Sequence, residues 1–194
     1  NPDAPVVMTG SHFDTVKTGG RFDGPAGVVA GLETARVLHE EGFVPERPIE
    51  FVALPEEEGA RFGSGLFGSR AICGKLTQEE VENNKDWDGI TVAQAMREYG
   101  LDPAKATEAA RKPGEIGAFL ELHIEQGPLL ENTKTDVGIV ESIVGLRILD
   151  IHVYGRSDHA GNTPMTMRAD TMLASAKAIA AGTEKALEIG EGTV

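Results

Sequence analysis

The chain has 194 residues, 40% apolar and 25% charged, a balance that suits one globular core, or one core plus part of another. Acidic residues outnumber basic ones 31 to 18, a formal charge of −13, which argues against nucleic acid or an anionic membrane as a partner. A single cysteine, Cys73, excludes an intrachain disulfide framework and fits a reducing, cytoplasmic compartment, and no apolar run approaches the roughly 18 residues of a membrane span.

The sequence starts without Met and enters a buried-type strand almost at once, and it stops just past a helix, so a fragment of a longer protein is expected. Residues 5–9 (PVVMT) form a short apolar run suited to a buried parallel strand. A loop holding His12, Asp14 and Asp23 among glycines follows. Residues 25–41 then carry a helical stripe of Val28, Val29, Leu32, Ala35 and Leu38, with Pro25 at its start and Gly42 just past its end. Residues 48–54 (PIEFVAL) predict a second strand running into Glu56-Glu57-Glu58. Strand, helix, strand in this order is a βαβ unit, hence an α/β domain with a mostly parallel sheet flanked by helices. Functional groups in such sheets collect beyond the carboxyl ends of the strands, where both acidic loops fall.

Residues 66–73 predict a short helix, and Thr77/Glu80 and Thr91/Gln94 have capping-box spacing. Residues 83–117, polar and broken by Pro103 and Pro113, are expected to be a surface excursion in which Trp87 and Tyr99 pack. Cys73, with no local base, is expected in the core. Residues 118–124 (AFLELHI) alternate as a third strand, ending near His123 and Gln126. Residues 137–144 and 146–154 are strand-like, followed by the loop GRSDHAGNTPM and a helix over about 166–187. The predicted organisation is a catalytic metal-binding domain over 1–143, lacking its C-terminal return, and the start of a smaller α+β lid or dimerisation domain over 144–194.

A lone histidine on a strand is usually structural, and a run of three glutamates alone is usually a solvated turn. His12, Asp14, Asp23, Glu57, Glu58 and His123 all fall at strand ends on one side of one sheet, however. Six such groups crowded together would raise one another's pKa values at a cost in stability, a conflict that divalent metal removes. Imidazole plus carboxylate without thiolate suits zinc or manganese in a non-structural site. Two metals are expected, with Asp23 placed to bridge them and one glutamate of the run free to act as base. Adjacent glutamates can serve both roles only if the strand has ended before Glu57. His159 is either an exposed loop residue or, if its domain closes over the sheet, a donor to a substrate oxygen.

The motifs GSHFDTV, GGRFDGPAGV, EEEGARF, ELHIEQGPLLE and DHAGNTPMTMRAD stand in one order over most of residues 6–175. In these the chain resembles the hydantoinase/carbamoylase amidohydrolases, relatives of the dinuclear-metal aminopeptidases. The resemblance implies a zinc-aminopeptidase-like catalytic fold. It also implies that His12, Asp23 and His123 hold one metal and that Asp23 bridges to a second, which Glu58 binds. Asp14 would be the carboxylate orienting His12, Glu57 the general base, His159 the lid residue polarising the scissile carbonyl, and Gln126 a substrate-side residue. A further histidine for the second metal and the residues holding a substrate carboxylate would lie in family segments beyond this chain.

The implied activity is hydrolysis of a carbamoyl or ureido C–N bond, in an N-carbamoyl-L-amino acid or allantoate, by metal-activated water. The partners implied are that small molecule and, through the apolar stripe Met172, Leu173, Ala176, Ile179 and Ala180, a second subunit; the stripe could instead pack within its own domain. An aminopeptidase or dipeptidase of the same clan, or a non-catalytic metal-binding fragment, are the alternatives.

Overall fold

The computed structural model describes residues 1–190, so the last four residues of the expected second domain lie outside the described residues. The chain divides into two compact units, 1–133 and 134–194. This division falls ten residues before the expected 143/144 boundary.

The first unit is built on three parallel strands in the order β2-β1-β3: β1 (Val6–His12), β2 (Ile49–Leu54) and β3 (Ile116–Leu120). The helix α1 (Pro25–Glu40) makes the crossover from β1 to β2, as the βαβ pattern predicts. β1 pairs with β2 from Val7↔Ile49 to His12↔Leu54, so it carries the metal-type loop out from the centre of the sheet. Its pairing with β3 ends sooner, at Thr9↔Leu120. β3 accordingly stops before His123 instead of reaching residue 124.

α1 meets the sheet through glycines. Val29 and Leu32 of the expected stripe are exposed, while Gly27 and Gly31 are buried. A Cβ on Gly27 would lie 2.2 Å from the carbonyl of Leu122 and 2.6 Å from Cβ of Ser11, so only hydrogen fits there. Residues this small let backbone approach backbone, which fixes α1 close over the carboxyl ends of β1 and β3.

Part of the expected surface excursion joins the short helices before it in a small core. α2 (Phe67–Ile72), α3 (Gln78–Asn83), α4 (Val92–Glu98) and a 3₁₀ turn (Pro103–Ala109) enclose Ala71, Leu76, Val81, Val92 and Ala93, with Phe62, Phe67, Met96 and Ala106 packed against them. Short helices with few apolar residues each look polar in sequence, yet four of them pool enough surface to exclude water. Trp87 and Tyr99, expected to pack here, are exposed, as is Cys73, which sits at the C-cap of α2 and not in the core. Thr77 and Thr91 each accept the backbone N–H three residues on, at 3.1 Å. Glu80 does not complete its capping box: its carboxylate takes the Arg70 guanidinium and the Ser64 hydroxyl instead.

That Arg70–Glu80 pair ties α2 to α3, and the guanidinium holds the Glu80 carboxyl below the usual carboxylate range. A lowered pKa means a contribution that is intact at neutral pH and is lost as pH falls through the folded-state value. Arg70→Ala should destabilise the first unit by about 1 kcal/mol at pH 7, the upper range for a partly exposed pair. Urea melts at pH 7 and below the Glu80 titration provide the check; an equal loss at both pH values would contradict the pairing.

α5 (Leu129–Thr133) closes the first unit. In the second unit a 3₁₀ turn (Met165–Met167) precedes α6 (Thr171–Ile189), whose N-cap Asp170 accepts the Leu173 N–H at 3.1 Å. The helix therefore starts five residues later than expected. Residues 137–154, predicted as strands, form no strand among the described residues, and their apolar side chains are exposed. Alternating apolar sequence confers β competence, but a strand exists only where a neighbour takes its backbone hydrogen bonds. The stripe on α6 (Met172, Leu173, Ile179) is likewise exposed. Among the described residues no helix is long and apolar enough to cross a membrane.

Candidate metal centre

His12 ends β1 and is buried. Its Nδ1 lies 2.8 Å from the backbone carbonyl of Asp14. A carbonyl can only accept, so Nδ1 carries the proton and the neutral ring presents a lone pair at Nε2. His123 repeats the arrangement: its Nδ1 lies 2.9 Å from the carbonyl of Ile124. The two Nε2 atoms then face one another at 3.3 Å.

Asp23 completes the convergence. Its Oδ1 lies 3.3 Å from His123 Nε2 and 3.7 Å from His12 Nε2, and it is buried without a hydrogen-bond partner. Three lone pairs therefore point at one small volume, two from neutral imidazoles and one from a carboxylate. Left without a cation this geometry is repulsive, and the unpartnered oxygen carries a desolvation penalty. A divalent ion satisfies all three at once, and a set of two imidazoles and one carboxylate suits zinc or a similar ion. His12, Asp23 and His123 offer the ligand set that the family resemblance implies for one metal.

The loop between His12 and Asp23 is shaped for this. Gly24 has φ +77°, and a Cβ there would stand 2.3 Å from ring atoms of His12. Glycine at this position lets the backbone reverse against the imidazole and present Asp23 to it.

β2 ends at Leu54, which frees the three glutamates from strand alternation as the two-role proposal requires. Glu56 is structural: it sits at φ +52° and its Oε1 accepts the N–H groups of Arg61 and Phe62. Glu57 and Glu58 gather with His12 in a second group of possible ligands, with Glu57 Oε2 4.0 Å from His12 Nε2. Burial pushes the Glu57 carboxyl above its ordinary value; His12 opposes this, while Glu58, Asp14 and Glu121 add to it.

Asp14 acts differently from the expected carboxylate–imidazole contact. The atom that holds His12 is its backbone carbonyl, the carboxylate standing 3.9 Å from Nδ1. The carboxylate instead accepts the backbone N–H of Glu57 at 3.0 Å and of Glu58 at 3.1 Å. One residue thereby fixes both the His12 tautomer and the acidic turn. Gln126, expected on the substrate side, sits at φ +54° and donates its amide to Asp23 Oδ2 at 2.6 Å. The two ligand groups share His12, whereas the sequence places the shared ligand at Asp23.

The contact sequence reasoning missed is Ser11 to Glu121, a 2.5 Å hydrogen bond just behind the ligands. Its signal was present in GSHFD and ELHIE, where each partner stands within two residues of a ligand.

His159 belongs to the second unit and is exposed. The Gly161 N–H donates to its Nδ1 at 3.1 Å, which puts the ring proton on Nε2 and leaves that N–H as an outward donor. Arg168 braces the same loop by donating to the carbonyls of Thr163 at 3.0 Å and Ala160 at 2.6 Å.

Comparison with known proteins identifies the family. Residues 8–193 match the family described as Peptidase family M20/M25/M40. The chain belongs to that family. It is 49% identical over 194 residues to an N-carbamoyl-L-amino-acid amidohydrolase of Paenarthrobacter aurescens, covering 100% of this chain and 47% of that protein. It is 40% identical over 179 residues to an allantoate amidohydrolase of Bacillus subtilis, covering 92% of this chain and 43% of the relative. The crystal structure of a hydantoinase/carbamoylase family amidase from Burkholderia ambifaria superposes with a TM-score of 0.74 at 36% identity, over 97% of this chain and 44% of that one. The M20-family chain thus spans about half the length of the curated relatives it matches.

Proposed function

We propose that this chain carries the metal centre of an amidohydrolase that cleaves the carbamoyl or ureido C–N bond of an N-carbamoyl-L-amino acid or allantoate. The observation that supports it is the meeting of His12 Nε2, His123 Nε2 and the unpartnered Asp23 Oδ1 at the carboxyl end of a parallel sheet. Relatives named for this chemistry share up to half of their aligned residues with it. A bound divalent ion would supply Lewis acidity and a water of lowered pKa.

The chain's own residues supply the rest. Glu57, with its carboxyl raised by burial and its backbone held by Asp14, is the base that takes a proton from the attacking water and later gives it to the leaving nitrogen. His159, with its proton on Nε2, is suited to donate to the developing oxyanion. Glu58 would serve a second metal in this reading, with Asp23 the carboxylate shared between the two ions and Gln126 holding its orientation. Zinc or manganese as the ion, two ions per subunit, a cytoplasmic setting and a homodimer formed through the exposed stripe of α6 complete the proposal.

The test is an assay of the full-length protein, with zinc or manganese, against N-carbamoyl-L-amino acids, allantoate and dipeptides. Turnover of a carbamoyl or ureido substrate is expected. Turnover of dipeptides alone would overturn the substrate class, and absence of bound metal would overturn the site.

A further inference from the structure

His12 and His123 stand on segments that the β1–β3 ladder no longer holds together. The last paired residues are Thr9 and Leu120, while the histidines lie three residues beyond each. β1 is still tied to β2 as far as His12↔Leu54, but the segment carrying His123 has left the sheet. Two imidazoles can share one ion only if their Nε2 atoms keep a fixed separation, so some other contact has to span this gap.

Ser11 Oγ donates to Glu121 Oε1 at 2.5 Å across it. Ser11 is fully buried, and its hydroxyl would be an orphan without this acceptor. An O–H donating to an ionised carboxylate is also among the strongest hydrogen bonds a side chain can make. Serine at this position satisfies two demands at once. α1 crosses so closely that a Cβ on Gly27 would touch Ser11 Cβ and the Leu122 carbonyl, which excludes a larger side chain, while the hydroxyl reaches the segment just past β3.

The geometry points to Ser11 and Glu121 as a positioning pair that holds the carboxyl ends of β1 and β3 at the spacing His12 and His123 need to share one cation. Neither side chain is a ligand; each acts through a histidine one or two residues along the chain. The inference rests on the metal reading of His12, Asp23 and His123.

The measurement is the affinity of this chain for Zn²⁺, by competition with a chromogenic chelator well below the melting temperature, alongside melting of the metal-free protein. Ser11→Ala and Glu121→Ala should each weaken binding about 10–100-fold, the effect of losing a partner that orients a ligand. The double variant should bind no more weakly than either single one. Glu121→Gln, which keeps an acceptor oxygen, should stay within a few-fold of wild type, and Glu121→Asp, whose shorter arm misses Ser11, should not. If the alanine variants fail to fold, the Gln and Asp pair decides. Equal affinities in these two, unchanged affinity in the alanine variants, or additive losses would overturn the pair. Wild-type protein that binds no Zn²⁺ would instead overturn the metal reading itself.

Discussion

Full-length protein carrying Glu57→Gln is expected to keep its metal and to lose turnover, by about 10²–10⁴-fold in kcat, the range for removing a general acid–base. The substitution is nearly isosteric and leaves the contact that fixes the turn, because Asp14 holds the backbone N–H of Glu57 and not its side chain. Nothing in the His12–Asp23–His123 group depends on the Glu57 carboxylate, so the first ion should stay. What disappears is the carboxylate proposed as proton acceptor, which burial pushes above its ordinary value. Elemental analysis beside steady-state kinetics separates the two effects. A kcat near wild type with metal bound would remove Glu57 from the mechanism, and loss of metal would make it a ligand.

Asp23→Asn should have opposite effects on stability and on binding. In the metal-free protein Asp23 Oδ1 is buried, unpartnered and faced by two imidazole lone pairs, while Oδ2 accepts from Gln126. An amide can keep its oxygen on Gln126 and turn its NH₂ toward the two Nε2 atoms, which supplies the missing donor. Relief of one unsatisfied buried group is worth about 1–3 kcal/mol, or roughly 2–12 °C in melting temperature for a domain of this size. Zn²⁺ affinity should meanwhile fall by more than the roughly 100-fold that loss of an outer partner produces. Calorimetry of both metal-free proteins is decisive. A variant that melts at or below the wild-type temperature would mean that the site is not strained toward a cation.

The sequence was informative wherever chemistry is local. Pro25 and Gly42 bracket α1, Thr77 and Thr91 cap their helices, and the βαβ order alone places His12 and the glutamates at the carboxyl ends of parallel strands. It was misleading where an element depends on a distant partner. Residues 137–154 have a strand's pattern but no ladder partner among the described residues, and residues 83–117 look too polar for a core that four short helices build together. α1 shows the same limit, since a helical stripe identifies an apolar face but not that Gly27 and Gly31 are the residues pressed against the sheet.

For the candidate metal centre, the sequence by itself determined which histidines and carboxylates are candidates and the side of the sheet on which they stand. Only the tertiary structure decided which atoms face one another. His12 meets His123 across 111 positions, Gln126 reaches Asp23 across 103, Ser11 reaches Glu121 across 110, and the Glu57 N–H reaches Asp14 across 43. Periodicity and capping extend over a few residues, so they cannot assign a proton to Nδ1 or leave an oxygen of Asp23 without a donor. Those follow from where the folded backbone puts a carbonyl beside each ring, and that is what turns a list of histidines and carboxylates into a place for a cation.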